Sequence, residues 1–201
     1  MSDDDLHVEV LTEARFPDVP KINNAFMGGT GKRLCLICSY SWCLASVEEY
    51  RKPYADNPEA MQLSAIVVMG SDKRAVGCVK MSALLPDGKE IRASDDMERS
   101  MHELKRGEFY VEWLAVTEDC RGRGAGTMLL EWCEKTARDM GGTRLTIGVV
   151  NGNPAKRLYE RFGFVTRKEG VLDFLCGGLV ICCLLGSPHC GWGGVTMDKI
   201  F

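Results

Sequence analysis

The spacing of hydrophobic residues divides the chain into short elements of two kinds. Alternating or β-branched runs predict strands over residues 7–11, 63–69, 75–85, 109–116, 144–150, 164–167 and 195–201. Apolar residues that recur every three or four positions predict helices over residues 18–27, 46–54, 124–140 and 154–162. Residues 71–74 are typical of a hairpin turn, and the polar residues 86–107 are expected to form a long loop or a short helix.

The order of these elements predicts the fold class. A strand, a loop, a helix, a strand and a helix follow one another from residue 109 to residue 162, which makes the two strands a parallel pair. The hairpin before them is antiparallel, so the sheet is mixed. We therefore expect an α+β fold in a single domain over residues 6–201. A disordered acidic tail at residues 1–5 precedes it, and an apolar insert occupies residues 171–191.

Composition excludes several functions. The chain has 201 residues, of which 45% are hydrophobic, enough to build one sizeable core. Its formal net charge of −3 supplies no basic field for nucleic acid. No run reaches the roughly 18 apolar residues of a membrane-spanning helix, and the acidic N-terminus is unlike a secretory signal. We expect a cytoplasmic or nuclear protein that is not secreted, does not bind nucleic acid and does not span a membrane.

Ten cysteines are scattered through the chain and raise the question of a metal site. Cys35 and Cys38 have the spacing of half a zinc site, but such a site needs a second matching pair. The later cluster consists of Cys182, Cys183, His189 and Cys190. Without an export signal to indicate an oxidising compartment, we interpret the cysteines as free thiols or buried small side chains. No metal is predicted.

The candidate chemistry lies in a glycine-rich loop between a strand and a helix. The loop and the first helical turn consist of Arg121, Gly122, Arg123, Gly124, Ala125, Gly126 and Thr127. Alternate glycines let several backbone N–H groups face one point, the helix N-terminus favours an anion, and two arginines add positive charge. Alone, the pattern also fits a tight turn with solvated arginines. A dinucleotide-binding turn fits less well, because about seven residues separate the strand from the glycines.

This loop resembles the signature of the GNAT acetyltransferase superfamily. In that signature an Arg or Gln is followed three positions later by Gly and five positions later by Gly or Ala. Arg121, Gly124 and Gly126 occupy those positions. A second resemblance covers residues 153–164, where the family has an Asn, then an Ala, a Leu-Tyr pair and a Gly-Phe pair.

The resemblance implies a strongly twisted mixed sheet, flanked by helices, in which a parallel strand pair splays apart to hold acetyl-CoA. The pyrophosphate would bind the loop at residues 121–127, and an acetyl group would pass directly to a primary amine of a small molecule or protein. The pantetheine arm would bind the strand beside the gap. The implied cofactor residues outside the loop are Leu114, Ala115, Val116 and Asn153. We also consider a homodimer.

The resemblance further implies an acid and a base. Tyr159 matches the family's general acid, and Glu112 is the candidate base because family members often carry one on this strand. Glu108, on the same strand, is the second candidate for the base, in reserve behind Glu112. Two plainer interpretations stay open, in which Tyr159 is a core residue and Glu112 forms a salt bridge.

Strand geometry predicts which side chains surround the candidate base. In a regular strand, alternate side chains share a face. The first face would carry Glu108, Tyr110, Glu112 and Leu114. The second would carry Phe109, Val111 and Trp113.

Two other classes of function compete with the enzyme. A catalytically inactive member could bind acyl-CoA as a sensor or interaction module, and the same loop supports that binding equally well. A nucleotide-binding protein that used the glycine loop would bind ATP instead. Acyl transfer to an amine distinguishes the first alternative, and competition by CoA distinguishes the second.

Overall fold

The computed structural model describes residues 5–22, 46–93, 102–150, 152–167 and 194–201. Their strands are β1 (Leu6–Val10), β2 (Ser64–Met69), β3 (Arg74–Leu84), β4 (Glu90–Ile91), β5 (Glu108–Val116), β6 (Arg144–Val150), β7 (Val165–Thr166) and β8 (Gly194–Ile200). The helices are α1 (Val47–Asp56), α2 (Ala125–Asp139) and α3 (Lys156–Arg161). Short 3-10 turns at Glu13–Arg15, Pro58–Leu63 and Glu118–Cys120 join some of these elements.

All the described strands belong to one open sheet. They lie in the order β1, β2, β3, β5, β6, β8 and β7, and β4 pairs with β3 beside this path. β5 and β6 are parallel, whereas the other described pairs are antiparallel. The predicted α+β fold with a mixed sheet is therefore confirmed.

For three elements the described bounds differ from the predicted ones. The polar stretch 86–107 contains the short strand β4. Residues 19–22 are helical as predicted, and the rest of the helix predicted over residues 18–27 lies outside the described residues. α3 begins at Lys156 rather than at Pro154, because Asn153 Oδ1 accepts a hydrogen bond from the Ala155 N–H at 2.9 Å and forms a turn first.

A pair of glycines ends α2 and fixes it on β5. The Gly142 N–H donates to the Ala137 carbonyl at 2.8 Å, and the Gly141 N–H donates to the Arg138 carbonyl at 3.0 Å. Gly141 has a φ of +76°, the left-handed conformation that this helix end requires. A Cβ on Gly142 would lie 2.6 Å from the Phe109 ring, so glycine there lets α2 approach the strand.

The two faces of the sheet carry different hydrophobic clusters. On β2, Ala65 and Val67 belong to the large core, and the alternate residues Ile66 and Val68 belong to a smaller cluster on the other face. α2 contributes to the large core through Ala125, Leu129, Leu130, Cys133 and Ala137. Each fully buried large aliphatic side chain contributes about 1.5–3 kcal/mol, so α2 is firmly held on this face.

A β-bulge interrupts β5 at Glu112. Lys80 of β3 pairs with Trp113, but the next residue of β3, Met81, pairs with Val111. Glu112 is therefore an extra residue on β5 with no direct partner in this register. Such a bulge bends the strand locally and alters the direction of its side chains.

The bulge changes the faces predicted for β5. Phe109 and Val111 lie in the large core before the bulge, and Leu114 and Val116 pack on that same core after it. The prediction that Leu114 shares a face with Glu112 is wrong, because an extra residue shifts the alternation of side chains by one position.

Several sequence predictions fall on residues outside the described part of the chain. These are most of the tail at residues 1–5, the insert at 171–191 and the cysteines at 35–38 and 182–190. The described cysteines Cys78, Cys120 and Cys133 are buried and free. Within the described ranges, no three His, Cys, Asp or Glu side chains are grouped to hold a metal ion. No helix there has the length and apolar character needed to cross a membrane.

Candidate active site

β5 and β6 pair only along their first halves. The parallel ladder ends at Val111 and Ile147, although β5 continues to Val116 and β6 to Val150. β5 stays paired with β3 up to Val116, so its opposite edge faces the opening between the strands. The described part of the sheet thus contains a splayed parallel pair. An extended ligand can hydrogen-bond to a strand edge of this kind as another strand would.

The glycine-rich loop leads from the end of β5 into α2. Gly122 and Gly124 have φ angles of +75° and +94°, and a Cβ on either would have nothing within 4 Å. Gly124 is the N-cap of α2 and has no side chain to accept hydrogen bonds from the first-turn N–H groups. Residues 121–124 are exposed. The loop therefore presents amide donors and the positive end of a helix to open space, which suits a phosphate.

Gly126 is needed for a different reason. A Cβ at this position would lie 3.0 Å from Leu158 Cδ2, closer than nearly all contacts of this kind. Its absence lets α3 pack across the first turn of α2, and the same turn contacts Val116 at the end of β5. The third glycine of the motif thus joins the loop, α3 and β5.

Tyr159 lies on α3 and is directed into the large core. Its side chain is 5% exposed and packs against the Phe164 ring, with 6.0 Å between the ring centroids. Burial, and to a smaller extent the neighbouring Cys133 sulfur, together raise the pKa of the phenol to about 12. Tyr159 therefore keeps its proton at neutral pH. The turn at Asn153 fixes where this helix begins.

Glu112 forms a buried ion pair. Its Oε2 lies 2.7 Å from Lys80 Nζ, and the two side chains are 6% and 7% exposed. Ser82 Oγ donates to Glu112 Oε1. Lys80 and Ser82 alternate with the core residues of β3, which places this carboxylate on the face opposite α2. The salt bridge that the sequence left open is present, but it is buried rather than on the surface.

Glu108, the reserve base, is the centre of a second polar cluster. Its Oε1 lies 3.0 Å from His102 Nε2, and its Oε2 accepts the Lys105 N–H at 2.7 Å. Burial alone would raise the pKa of this carboxyl, but hydrogen bonds from His102, Thr146 and the Lys105 backbone lower it to about 2. Glu108 is thus ionised throughout the neutral range and is a weak proton acceptor.

This second cluster continues across the sheet. Thr146 Oγ1 also lies 3.0 Å from Asp198 Oδ1. Arg167 binds both oxygens of Asp198, with distances of 2.7 and 2.8 Å. These contacts join β5, β6 and β8 on the face opposite α2.

Sequence reasoning did not identify His102, Lys80, Ser82 or Asp198 as part of a site. For Lys80 and Ser82 a signal was present, because polar residues alternate with apolar ones in an otherwise buried strand. For His102 and Asp198 there was none. Asp198 meets Thr146 across the sheet through strand pairing, and His102 is brought to Glu108 by the irregular segment that precedes β5.

Solved structures with this fold include several acetyltransferases. A ribosomal-protein-alanine N-acetyltransferase from Brucella melitensis is 20% identical with a TM-score of 0.60, over 97% of this chain and 99% of that one. The yncA protein from Salmonella typhimurium, solved with its cofactor acetyl-CoA, is 16% identical with a TM-score of 0.58, over 97% and 93%. PaiA N-acetyltransferase from Thermoplasma acidophilum, solved with coenzyme A, is 12% identical with a TM-score of 0.58, over 98% and 99%. These likenesses show a shared fold.

Sequence comparison identifies the family. No curated protein matches the chain significantly. The sequence profile of the Acetyltransferase (GNAT) family matches residues 36–164, which is more than half of the chain and includes the splayed strands, the glycine loop and Tyr159. The chain therefore belongs to the GNAT acetyltransferase family.

Proposed function

We propose that the chain is an acyl-CoA-dependent N-acyltransferase that transfers acetyl from acetyl-CoA directly to a primary amine of a small molecule or protein. The opening between β5 and β6 beyond Val111 and Ile147 carries this proposal. Acetyl-CoA needs an anion site for its pyrophosphate and an extended channel for its pantetheine arm. The loop at the start of α2 supplies the first, and the free edge of β5 supplies the second. The acetyl-CoA in the yncA structure supports the choice of donor.

The cofactor would contact mainly backbone. The pantetheine arm would hydrogen-bond to the edge of β5 at Leu114, Ala115 and Val116, and the pyrophosphate would lie on the amides of residues 121–127. Asn153 is proposed to contribute at the start of α3. A backbone N–H near Val116 would stabilise the negative charge that forms on the thioester oxygen.

The acid and the base are proposed to act from opposite faces of the sheet. Glu112, held by Lys80 and Ser82, lies on the face opposite α2 and would accept a proton from the attacking nitrogen. Tyr159 lies in the core on the α2 side and would give its proton to the departing thiolate. This arrangement separates the entering amine from the leaving sulfur.

Replacing Arg121 with Ala is expected to weaken acetyl-CoA binding about 10- to 150-fold, corresponding to about 1.5–3 kcal/mol for a charge-assisted hydrogen bond. Arg121 is exposed beside the left-handed glycines, so its loss should leave the melting temperature almost unchanged. Isothermal titration with acetyl-CoA measures the effect. Arg106→Ala is the matched control, because Arg106 is also exposed but precedes β5 at its other end. Equal dissociation constants for the two variants would exclude a phosphate contact by Arg121.

The proposed activity is tested with the wild-type chain, acetyl-CoA and a panel of amines that includes spermidine, an amino sugar, a lysine peptide and peptides with free N-termini. We expect at least one amine to gain an acetyl group, detected as its mass increase. Mass spectrometry is preferable to thiol reagents because the ten cysteines of the protein would react with them. CoA should inhibit the reaction, and ATP should not.

The sensor alternative predicts a different result in the same experiment. Acetyl-CoA would still bind to the protein, but none of the amines in the panel would be acetylated, whatever the concentration of the amine. Failure of acetyl-CoA to bind at all would contradict both functions.

A further inference from the structure

Tyr110 reaches the mouth of the opening between the splayed strands. It pairs with Thr146 on β6, one position before the parallel ladder ends. Its hydroxyl oxygen lies 3.0 Å from the position that a Cβ on Gly148 would take. Gly148 is the first residue of β6 beyond the ladder, so glycine there leaves room for the phenol at the point where the two strands begin to separate.

His102 is held beside Tyr110 from two directions. The rings of His102 and Tyr110 stack with 4.2 Å between their centroids and an angle of 14° between their planes. His102 Nε2 lies 3.0 Å from Glu108 Oε1. The His102 side chain is 12% exposed, whereas that of Glu108 is 1% exposed. The imidazole is thus fixed in position yet remains in contact with solvent on the face opposite α2.

The partner of Nε2 determines which ring nitrogen can accept a proton. An ionised carboxylate only accepts hydrogen bonds, and Glu108 is ionised because its pKa is about 2. Nε2 must therefore carry the hydrogen in neutral His102, and the lone pair resides on Nδ1. When Nδ1 takes up a proton, the Glu108 carboxylate stabilises the resulting imidazolium.

We infer that His102 is the residue that deprotonates the incoming ammonium group, and that Glu108 and Tyr110 are its positioning residues. This inference rests on the proposed acetyl transfer. It adds to the role of Glu112 rather than replacing it, since an ammonium nitrogen must lose two protons to become an amide nitrogen.

The proposed transfer moves two protons off the nitrogen and one onto the sulfur. His102 Nδ1 takes one proton from the ammonium, directly or through a water molecule, and leaves a neutral amine. The amine lone pair attacks the thioester carbonyl carbon and a C–N bond forms. Glu112 takes the second proton from that nitrogen as the C–S bond breaks, and Tyr159 gives one proton to the thiolate. Once the side chains have returned to their starting states, one proton is released for each acetyl group transferred.

Other charged groups lie near His102 and Glu108. The Arg92 guanidinium donates to the His102 carbonyl at 3.4 Å, and Lys105 follows in the same segment. Arg167 is 3.9 Å from Glu108 and paired with Asp198. Among the described residues, Glu108 and Tyr110 contact the ring directly. Imidazole is the side-chain type whose ordinary pKa lies nearest to neutral pH.

The pH dependence of kcat/KM for His102→Gln tests the inference. The glutamine can still donate to Glu108 but has no nitrogen that accepts a proton near neutral pH. An alkylamine acceptor has a pKa of about 10. Because the variant cannot deprotonate the ammonium form, it can use only those amine molecules that are already neutral in solution. Its kcat/KM should therefore fall about tenfold per pH unit below that value. The wild type should remain nearly level between about pH 8 and 10. The deficit is expected to be about 10²-fold at pH 8 and to vanish near pH 10.

His7→Gln is the matched control. His7 also contacts a carboxylate, with 3.1 Å between its Nε2 and Glu9 Oε1, but it lies on the edge strand β1. The pH dependence of kcat/KM of His7→Gln should follow that of the wild type. A deficit in His102→Gln that is the same at every pH would mean a purely structural role and would overturn the inference.

If His102→Gln does not fold, the pH dependence of kcat/KM of the wild type still tests whether a protein group takes the proton. A wild-type kcat/KM that itself falls tenfold per unit below the amine pKa would show that no protein group accepts this proton. Absence of acetyl transfer by the wild type to any amine would instead overturn the proposed function, and the inference with it.

Discussion

Replacing Gly124 with Asp is expected to abolish acetyl-CoA binding. Gly124 is the N-cap of α2 and has open space around its Cβ position, so the new carboxylate would lie where the pyrophosphate is proposed to bind. Two like charges at about 4 Å repel by about 4 kcal/mol at an effective dielectric constant of 20, which corresponds to about a thousandfold loss of affinity. Titration calorimetry with acetyl-CoA measures this loss of affinity.

Gly124→Asn separates charge from backbone strain. Both substitutions meet the same φ of +94°, and Asn has the shape of Asp and tolerates left-handed conformations comparably. We expect Asn to weaken binding by less than about tenfold, because it adds no charge. If the Asp variant is folded and binds acetyl-CoA as tightly as the Asn variant, the pyrophosphate does not lie on this loop.

The sequence predicted the local structure of several parts of the candidate site. The glycines at positions 122 and 124 were identified because alternate glycines let several backbone N–H groups face one point, and both have a left-handed φ in the structure. The helix α2, its glycine terminator and the position of Tyr159 followed from hydrophobic spacing and the family resemblance. The parallel order of β5 and β6 followed from the helix predicted between them.

The bulge at Glu112 was not predictable from local pattern. The strand from Glu108 to Val116 contains no glycine or proline, and its residues suit a regular strand. The extra residue becomes visible only in the register with β3, where Lys80 and Met81 take partners two positions apart. Prediction of the β5 faces therefore failed beyond this residue.

The surroundings of the two carboxylates depended on tertiary structure as well. A sequence shows that Glu108 and Glu112 are acidic, but it does not show that one meets His102 and the other Lys80. Those contacts decide their chemistry. The hydrogen bonds to Glu108 lower its pKa and make it a fixed anion, which suits the orientation of an imidazole better than the uptake of a proton.

Replacing Tyr159 with Phe is expected to lower kcat by about 10² to 10⁴-fold, the usual contribution of a positioned acid. The substitution keeps the ring and its contact with Phe164 and removes only the hydroxyl, so the fold and the affinity for acetyl-CoA should change little. The Tyr159 hydroxyl is well suited to donate a proton to the thiolate. Burial raises the pKa of Tyr159 to about 12, so the phenol stays protonated across the pH range of the assay. Steady-state kinetics on the most active amine measures the loss.

Tyr54→Phe is the control for this prediction, and melting curves accompany both variants. Tyr54 lies on α1, is also 5% exposed, and burial raises its pKa to about 12 as well. Its hydroxyl, however, is hydrogen-bonded to Ser64 Oγ of β2 at 2.8 Å. Losing that hydrogen bond should cost about 1 kcal/mol of stability and leave kcat within about threefold. A Tyr159→Phe protein that melts like the wild type and loses kcat alone would mark an interaction made in the transition state. Equal kcat values for the two variants would make Tyr159 a core residue, with the thiolate taking its proton from another donor.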